Sequence, residues 1–232
     1  VKKVVCKGAG AGILKDIDKM EMLTREMVKR TKLPVTVKTR LGWDEKSIKI
    51  VEVAERIQDA GAKAITIHGR TRAQMYKGFA DWAPISEVKN NPRMNIPVFG
   101  NGDVNSPEKA VEMRDKYGLD GAMIGRASIG NPWFFNHVKY YFKTGEHLPY
   151  PKINERITMA RRHLEMSILW KGEILGVLET RRHYSNYFKA IPDFKKFRTG
   201  LVTANSSIEV FNLLNQICLL YTSDAADEED SV

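Results

Sequence analysis

Apolar positions in the first two thirds of the chain alternate between two periods. Across residues 16–31, Ile17, Met20, Leu23, Met27 and Val28 fall on one side of a 3.6-residue repeat, which predicts an amphipathic helix stopped by Pro34. The β-branched run Val35-Thr36-Val37-Lys38 follows as a short strand. Residues 47–60 return to helical spacing through Ile48, Val51, Ala54 and Ile57, and Gly61 stands where a helix-ending glycine belongs. A strand over 64–67, a short helix near 85–90 and a strand over 96–99 come next. Ser106 then caps, and Pro107 opens, a helix running to about Tyr117, before a strand over 121–124.

A strand-then-helix unit repeating about every thirty residues predicts an α/β fold: a parallel sheet with helices packed outside it. Each predicted strand runs into a polar or glycine-rich cluster: Lys38-Thr39-Arg40, His68-Gly69-Arg70-Thr71-Arg72, Gly100-Asn101-Gly102-Asp103 and Gly125-Arg126. Function in parallel α/β folds gathers at the carboxyl ends of strands, and in (β/α)8 barrels at the corresponding face. From about Asn136 only helical patterns remain, over 153–170, 174–190 and 206–217, with a boundary expected in the stretch 145–151 that holds Pro149 and Pro151.

Charge sharpens the picture. The 232 residues hold 37 Lys and Arg against 28 Asp and Glu. Five of the acids lie in the last fifteen residues, which contain no base, so residues 1–217 carry 37 bases against 23 acids, a net +14. A body this basic suits a polyanionic or phosphorylated partner, or a generally Lys-rich surface. The terminal string CLLYTSDAADEEDSV, residues 218–232, resembles a translated sequencing adapter and is expected to be a non-native tail. Two cysteines cannot build a disulfide scaffold, and no run is long and apolar enough for a membrane span. The expectation is a cytoplasmic protein with no membrane or metal partner.

The strand-end residues admit two uses each. Lys38 ends a strand where an ammonium needs an anion, or else snorkels to solvent. His68 either donates to a ligand or packs at the strand end. Gly102 and Gly125 allow backbone to approach an anion, with Arg126 offering a planar fork for phosphate, or they are ordinary turns. Arg40, Arg70 and Arg72 face a substrate or pair with Asp44, Asp81 or Asp103. Trp82, Trp133 and Tyr76 read as packing residues. Arg161, Arg162, Arg181 and Arg182 read as RNA-backbone contacts or a solvated face.

The stretches VTVKTRLGWD (35–44), ITIHGRTRAQMYKGFADW (65–82), PVFGNGD (97–103) and GAMIGRASIGNPW (121–133), with VKKVVCKGAGAGIL (1–14), resemble the tRNA-dihydrouridine synthase family in that order. The resemblance implies the last four strands of a (β/α)8 TIM barrel, an FMN-binding part over 1–145, followed by an all-α helical domain that binds tRNA over 146–217. It implies FMN as cofactor, NADPH as reductant, tRNA as partner and a monomeric parent that reduces uridine to 5,6-dihydrouridine. FMN would be held by Lys38, His68, Asn101, Gly102, Asp103, Gly125 and Arg126, with Arg40, Arg70 and Arg72 toward the substrate. The family's acid, a Cys in an Asn-x-x-Cys-Pro motif, would precede Val1, so the chain is expected to be an inactive fragment without a catalytic residue, and Cys6 does not match that position. A flavin barrel enzyme acting on a small molecule such as dihydroorotate, and a non-enzymatic RNA-binding fragment, remain alternatives.

Overall fold

A computed structural model describes residues 2–229, with side chains described for 3–221. In chain order the elements are α1 (Lys2–Val5), α2 (Ile17–Lys29), β1 (Thr36–Arg40), α3 (Ile50–Asp59), β2 (Ala64–His68), α4 (Ala83–Asn90), β3 (Val98–Asn101), α5 (Pro107–Lys116), β4 (Gly121–Met123), α6 (Phe134–Thr144), α7 (Ile153–Lys171), α8 (Glu173–Tyr187), α9 (Lys195–Thr203) and α10 (Ser207–Glu229). The chain divides into two compact units, Val1–Ala127 with Tyr141–Thr144, and Ser128–Tyr140 with Gly145–Val232.

The first unit is an α/β fold around a four-stranded sheet of order β1-β2-β3-β4, parallel at every pairing. Spatial order equal to chain order, with a helix between successive strands, is consistent with part of a (β/α)8 barrel. The register gives the sheet two unlike faces. Val37 pairs with Ile65, Ile65 with Val98 and Ile67 with Gly100, which makes one face apolar. The other carries Lys38 beside Thr66, Arg40 beside His68 and His68 beside Asn101. Ile65, Ile67 and Val98 are wholly buried, each contributing about 1.5–3 kcal/mol relative to exposure.

Local signals in the sequence explain several element ends. Ser106 accepts a hydrogen bond from the Lys109 N–H, with Pro107 in the first turn of α5. At the end of α3, Gly61 adopts φ +100°. Its N–H donates to Gln58 O, and that of Ala62 to Ile57 O, the two-bond closure that a left-handed residue permits.

Two helix faces differ from the expected ones. In α3 the buried residues are Ile50, Val53, Ala54 and Ile57, while Ile48 is 40% exposed. Asp44 and Ser47 cap each other in a short 3₁₀ turn over Glu45–Ser47, so Ile48 is extended and the helix begins at Ile50. A strict three-residue spacing also slides around a 3.6-residue helix, whereas the 3,1,3 spacing of the buried set does not. In α2, Met20 and Thr24 are buried and Leu23 and Met27 lie at the surface, with the Thr24 hydroxyl satisfied by Met20 O at 2.8 Å.

The second unit contains helices α7 to α10 around a core that includes Ile157, Leu164, Val177, Tyr184, Leu201, Val210, Leu214 and Ile217. Helix α9 lies between two predicted helices, where its basic run Lys195-Lys196-Phe197-Arg198 masked the apolar Leu201. Helix α10 continues without a break through residue 218. Cys218 and Tyr221 pack against this core, and the Tyr221 hydroxyl donates to Pro192 O. The first residues of the string set aside as a tail therefore have packing partners; side chains from 222 onward lie outside the described ones. Among the described residues no helix is long and apolar enough to cross a membrane, and no His, Cys, Asp and Glu group is placed to hold a metal ion.

Candidate active site

The polar sheet face ends in a cluster of charges. Arg70 and Arg126 converge on one carboxylate, Asp103, and Arg40, Lys38 and Arg70 crowd the neighbouring His68. The register brings this about: His68 beside Asn101 carries residues 70 and 103, just past the strand ends, to the same rim.

Asp103 is the hub. Its φ of +56° lies in the left-handed region, which Asp tolerates better than most residues. The carboxylate accepts from Arg70 NH2 at 2.9 and 2.7 Å, from the Ala80 N–H at 2.7 Å and from Arg126 NH2 at 2.9 Å. These donors hold its pKa below the ordinary carboxylate value against the opposing effect of burial. Gly102, at φ +125°, has no room for a side chain: a Cβ would lie 2.5 Å from that of Ala80. At Gly100 a Cβ would strike the Trp82 ring, which is wholly buried and donates from Nε1 to Gly102 O at 3.2 Å. Trp82 is thus core, as the sequence suggested, and the glycines of Gly100-Asn101-Gly102-Asp103 make space for protein as well as for backbone turns.

The arginines grouped as substrate contacts separate into three situations. Arg70 is 2% exposed and pairs with Asp103, the alternative weighed for it. Its remaining donors meet Lys77 O at 3.2 Å, Gly78 O at 2.6 Å and His68 Nε2 at 3.3 Å. Arg40 braces the same loop, donating from NH1 to Thr71 O at 2.8 Å and Met75 O at 3.0 Å. Arg72 lies over the Trp43 ring at 4.6 Å, with Lys15 Nζ at 4.0 Å from the same ring. Arg70 is therefore buried in the protein rather than presented to a ligand. Arg126, by contrast, is 64% exposed along its side chain.

Lys38 and His68 also carry altered proton affinities. Partial desolvation, and then the neighbouring Arg40, pull Lys38 below its usual pKa although it lies at the surface of an edge strand. Burial, reinforced by Arg40, Lys38 and Arg70, pushes His68 down to about 4, so it is neutral at pH 7. A guanidinium only donates, so the contact from Arg70 makes Nε2 of His68 the acceptor and leaves the proton on Nδ1. Asn101 donates from Nδ2 to Met123 O at 2.8 Å, tying β3 to β4. A Cβ at Gly125 would meet nothing within 4 Å.

Of the two places expected for Tyr76, core or loop packing, the structure shows the loop. Tyr76 is 63% exposed on the loop that Arg40 and Arg70 brace. Its ring lies 5.9 Å from the Arg40 guanidinium, 5.5 Å from that of Arg126 and 6.4 Å from the His68 ring. An aromatic residue in a long polar loop between two arginine-bearing strand ends was the available signal. Cys6 is exposed in the turn after α1.

The second unit uses its arginines partly as internal ties. Arg181 donates to Thr203 O at 2.9 Å and to Ala204 O, closing the end of α9, and Arg161 bonds Asn215. Arg162 and Arg182 stay exposed. Trp133 packs edge-on to Tyr187 at 6.1 Å.

A cationic rim with too little carboxylate to balance it and an exposed aromatic ring suit a ligand that is both anionic and planar. A dihydrouridine synthase (Dus) family profile matches residues 1–222. The chain is 42% identical over 216 residues to the probable tRNA-dihydrouridine synthase 1 of Synechocystis sp., covering 93% of this chain and 60% of that protein. It is 39% identical over 197 residues to tRNA-dihydrouridine synthase B of Pseudomonas putida, with 85% and 58% covered. With a probable tRNA-dihydrouridine synthase of Rickettsia conorii the identity is 37% over 222 residues, with 96% and 66% covered. The chain thus spans about three fifths of the length of the first of these relatives.

Proposed function

The chain belongs to the dihydrouridine synthase family, and from that premise we propose that it forms the cofactor-holding and RNA-facing part of an FMN-dependent enzyme reducing uridine in tRNA to 5,6-dihydrouridine. The observation that carries this reading is the cluster in which Arg70 and Arg126 share the carboxylate of Asp103 while Arg40, Lys38 and Arg70 crowd His68 beside it. Mutual repulsion among those cations is relieved when an anion joins them.

The donor set fits FMN. Arg126 would take the phosphate, with a guanidinium fork matched to phosphate oxygens. Lys38 would sit against the ring system, where a cation favours the reduced, anionic form. His68, neutral with its proton on Nδ1, would donate one hydrogen bond without adding charge. Tyr76 would wall the pocket with a flat, partly cation-backed surface. Bound FMN, reduced by NADPH, would supply the electrons that saturate the uracil C5–C6 bond. The target base must leave its stack to reach it, a step open to enzymes that hold RNA phosphates with surface bases such as Arg162 and Arg182. The helical unit is the part we assign to those contacts.

The test uses the longest natural reading frame that contains this chain, produced in a host whose tRNA lacks dihydrouridine. The expected outcome is a yellow protein that releases FMN on denaturation and restores dihydrouridine in digested host tRNA, read by mass spectrometry. Colourless protein and unmodified tRNA would overturn the proposal.

A further inference from the structure

We propose that Asp103 is a positioning residue for phosphate recognition: its carboxylate holds the Arg126 guanidinium in place, although its own charge opposes an anion. This rests on the cofactor reading above.

Three separate segments donate to this one carboxylate: Arg70 just beyond β2, Ala80 at the end of the braced loop, and Arg126 in the turn after β4. A carboxylate offers about four acceptor positions, and the donors here nearly fill them. Arg70, at 2% exposure and bonded to Lys77 O, Gly78 O and His68, is a fixed support, so the carboxylate it grips is fixed too. Arg126 has no comparable burial, being 64% exposed along its side chain. The described contacts that orient its guanidinium are one bond from NH2 to Asp103 Oδ1 at 2.9 Å and the Tyr76 ring at 5.5 Å. One held nitrogen leaves the remaining donors of the fork for a ligand, which a flexible, unheld arginine would have to order on binding. The backbone also invests in this arrangement, since Asp103 sits at φ +56°, uncommon outside glycine.

Long-range electrostatics says that removing a negative charge beside a phosphate site strengthens phosphate binding. Positioning says that it weakens binding, and only the phosphate part of it. FMN and riboflavin share the ring system and differ by the phosphate, so their affinity ratio isolates that part. Flavin affinities are measured by fluorescence quenching for wild type, Asp103→Asn, Asp103→Glu and Arg126→Ala, and for each Asp103 change combined with Arg126→Ala. Asp103→Glu keeps the charge but displaces it, which covers the case where Asp103→Asn fails to fold.

We expect the FMN-to-riboflavin ratio to fall about tenfold or more in the Asp103 variants, the scale of a charge-assisted hydrogen bond, with riboflavin affinity within about twofold of wild type. The fall should vanish when Arg126 is already Ala, as coupling through one shared partner requires. A ratio that rises or stays level, or riboflavin affinity that falls in parallel with that of FMN, would overturn the inference. A wild-type protein that binds FMN no more tightly than riboflavin would instead remove the phosphate assignment on which it stands.

Discussion

Arg70 in the sheet unit and Tyr184 in the helical unit are both almost wholly buried, at 2% and 0% exposure, and their polar ends meet different fates. Every side of the Arg70 guanidinium is engaged, by a carboxylate, two loop carbonyls and an imidazole. The Tyr184 hydroxyl has no hydrogen-bond partner, and burial drives its pKa upward. The difference teaches where each region derives its order. Around Asp103 the chain is organised by directional, charge-assisted bonds that fix particular atoms at a rim. Around Leu164 and Tyr184 it is organised by apolar packing, which fills volume and tolerates an idle hydroxyl. The first arrangement suits a site that must present donors at set positions; the second suits a scaffold.

The largest expected effect tests the charged region. Asp103→Ala leaves the Arg70 guanidinium buried without its carboxylate and should destabilise the protein by about 3–5 kcal/mol, read as a shift in a urea midpoint. A change under about 1 kcal/mol would mean that packing, not charge, holds this region as well. The matching test of the other region is Leu164→Ala, which empties part of a fully buried position and should cost about 2–5 kcal/mol. Its flavin affinity, measured under conditions where the protein stays folded, should match wild type. Loss of flavin binding there would erase the functional side of the contrast.

Arg126→Ala should do the opposite, weakening FMN retention by about 1.5–3 kcal/mol while leaving the melting temperature nearly unchanged, since the side chain is 64% exposed. Mutant protein that purifies as yellow as wild type would contradict the assigned role. Acid should act on both regions through one residue type. His68 and His183 are each held near a pKa of about 4, below the ordinary 6.5, mainly by burial. Their folded forms bind fewer protons than the unfolded chain in that window, so their contribution to stability is complete above about pH 6.5 and fades as pH falls toward 4. His183 Nδ1 accepts the Gly130 N–H at 3.1 Å, so a glutamine there keeps an acceptor without the titration. Melting temperature followed from pH 7 to 4 should drop less steeply in His183→Gln than in wild type, and equal slopes would count against a neutral, half-buried His183. The smallest effect belongs to Tyr184→Phe, which removes only the unpartnered hydroxyl and should be neutral or stabilising by less than about 1 kcal/mol in the same urea measurement.

Much of the sheet was legible from short-range signals. Ser106-Pro107 announced α5, Gly61 announced the end of α3, and the alternation of β-branched runs with helical spacing announced the parallel order β1 to β4. Each depends on residues within a turn or two of one another, so the chain carries the information locally. Helix faces were less secure: the face of α3 turned on where the Asp44–Ser47 capping pair stopped the preceding turn. Helix α9 was missed because its basic first turn outweighs a single buried apolar position, Leu201.

The composition of the candidate site was also visible, since His68, Asn101-Gly102-Asp103 and Gly125-Arg126 stand at or just past strand ends and Lys38 lies two residues inside the end of β1. Their division of labour was not. Whether Arg70 meets a ligand or Asp103, and whether Tyr76 is interior or exposed, depends on the alignment of β2 with β3 and on a loop braced from two strands. Sequence by itself determined which residues arrive at the rim, because strand and helix periods are local properties of the chain. Tertiary structure decided which of those residues bond to one another and which remain facing outward, because a pair 33 positions apart interacts only after the sheet register has brought its two strands side by side.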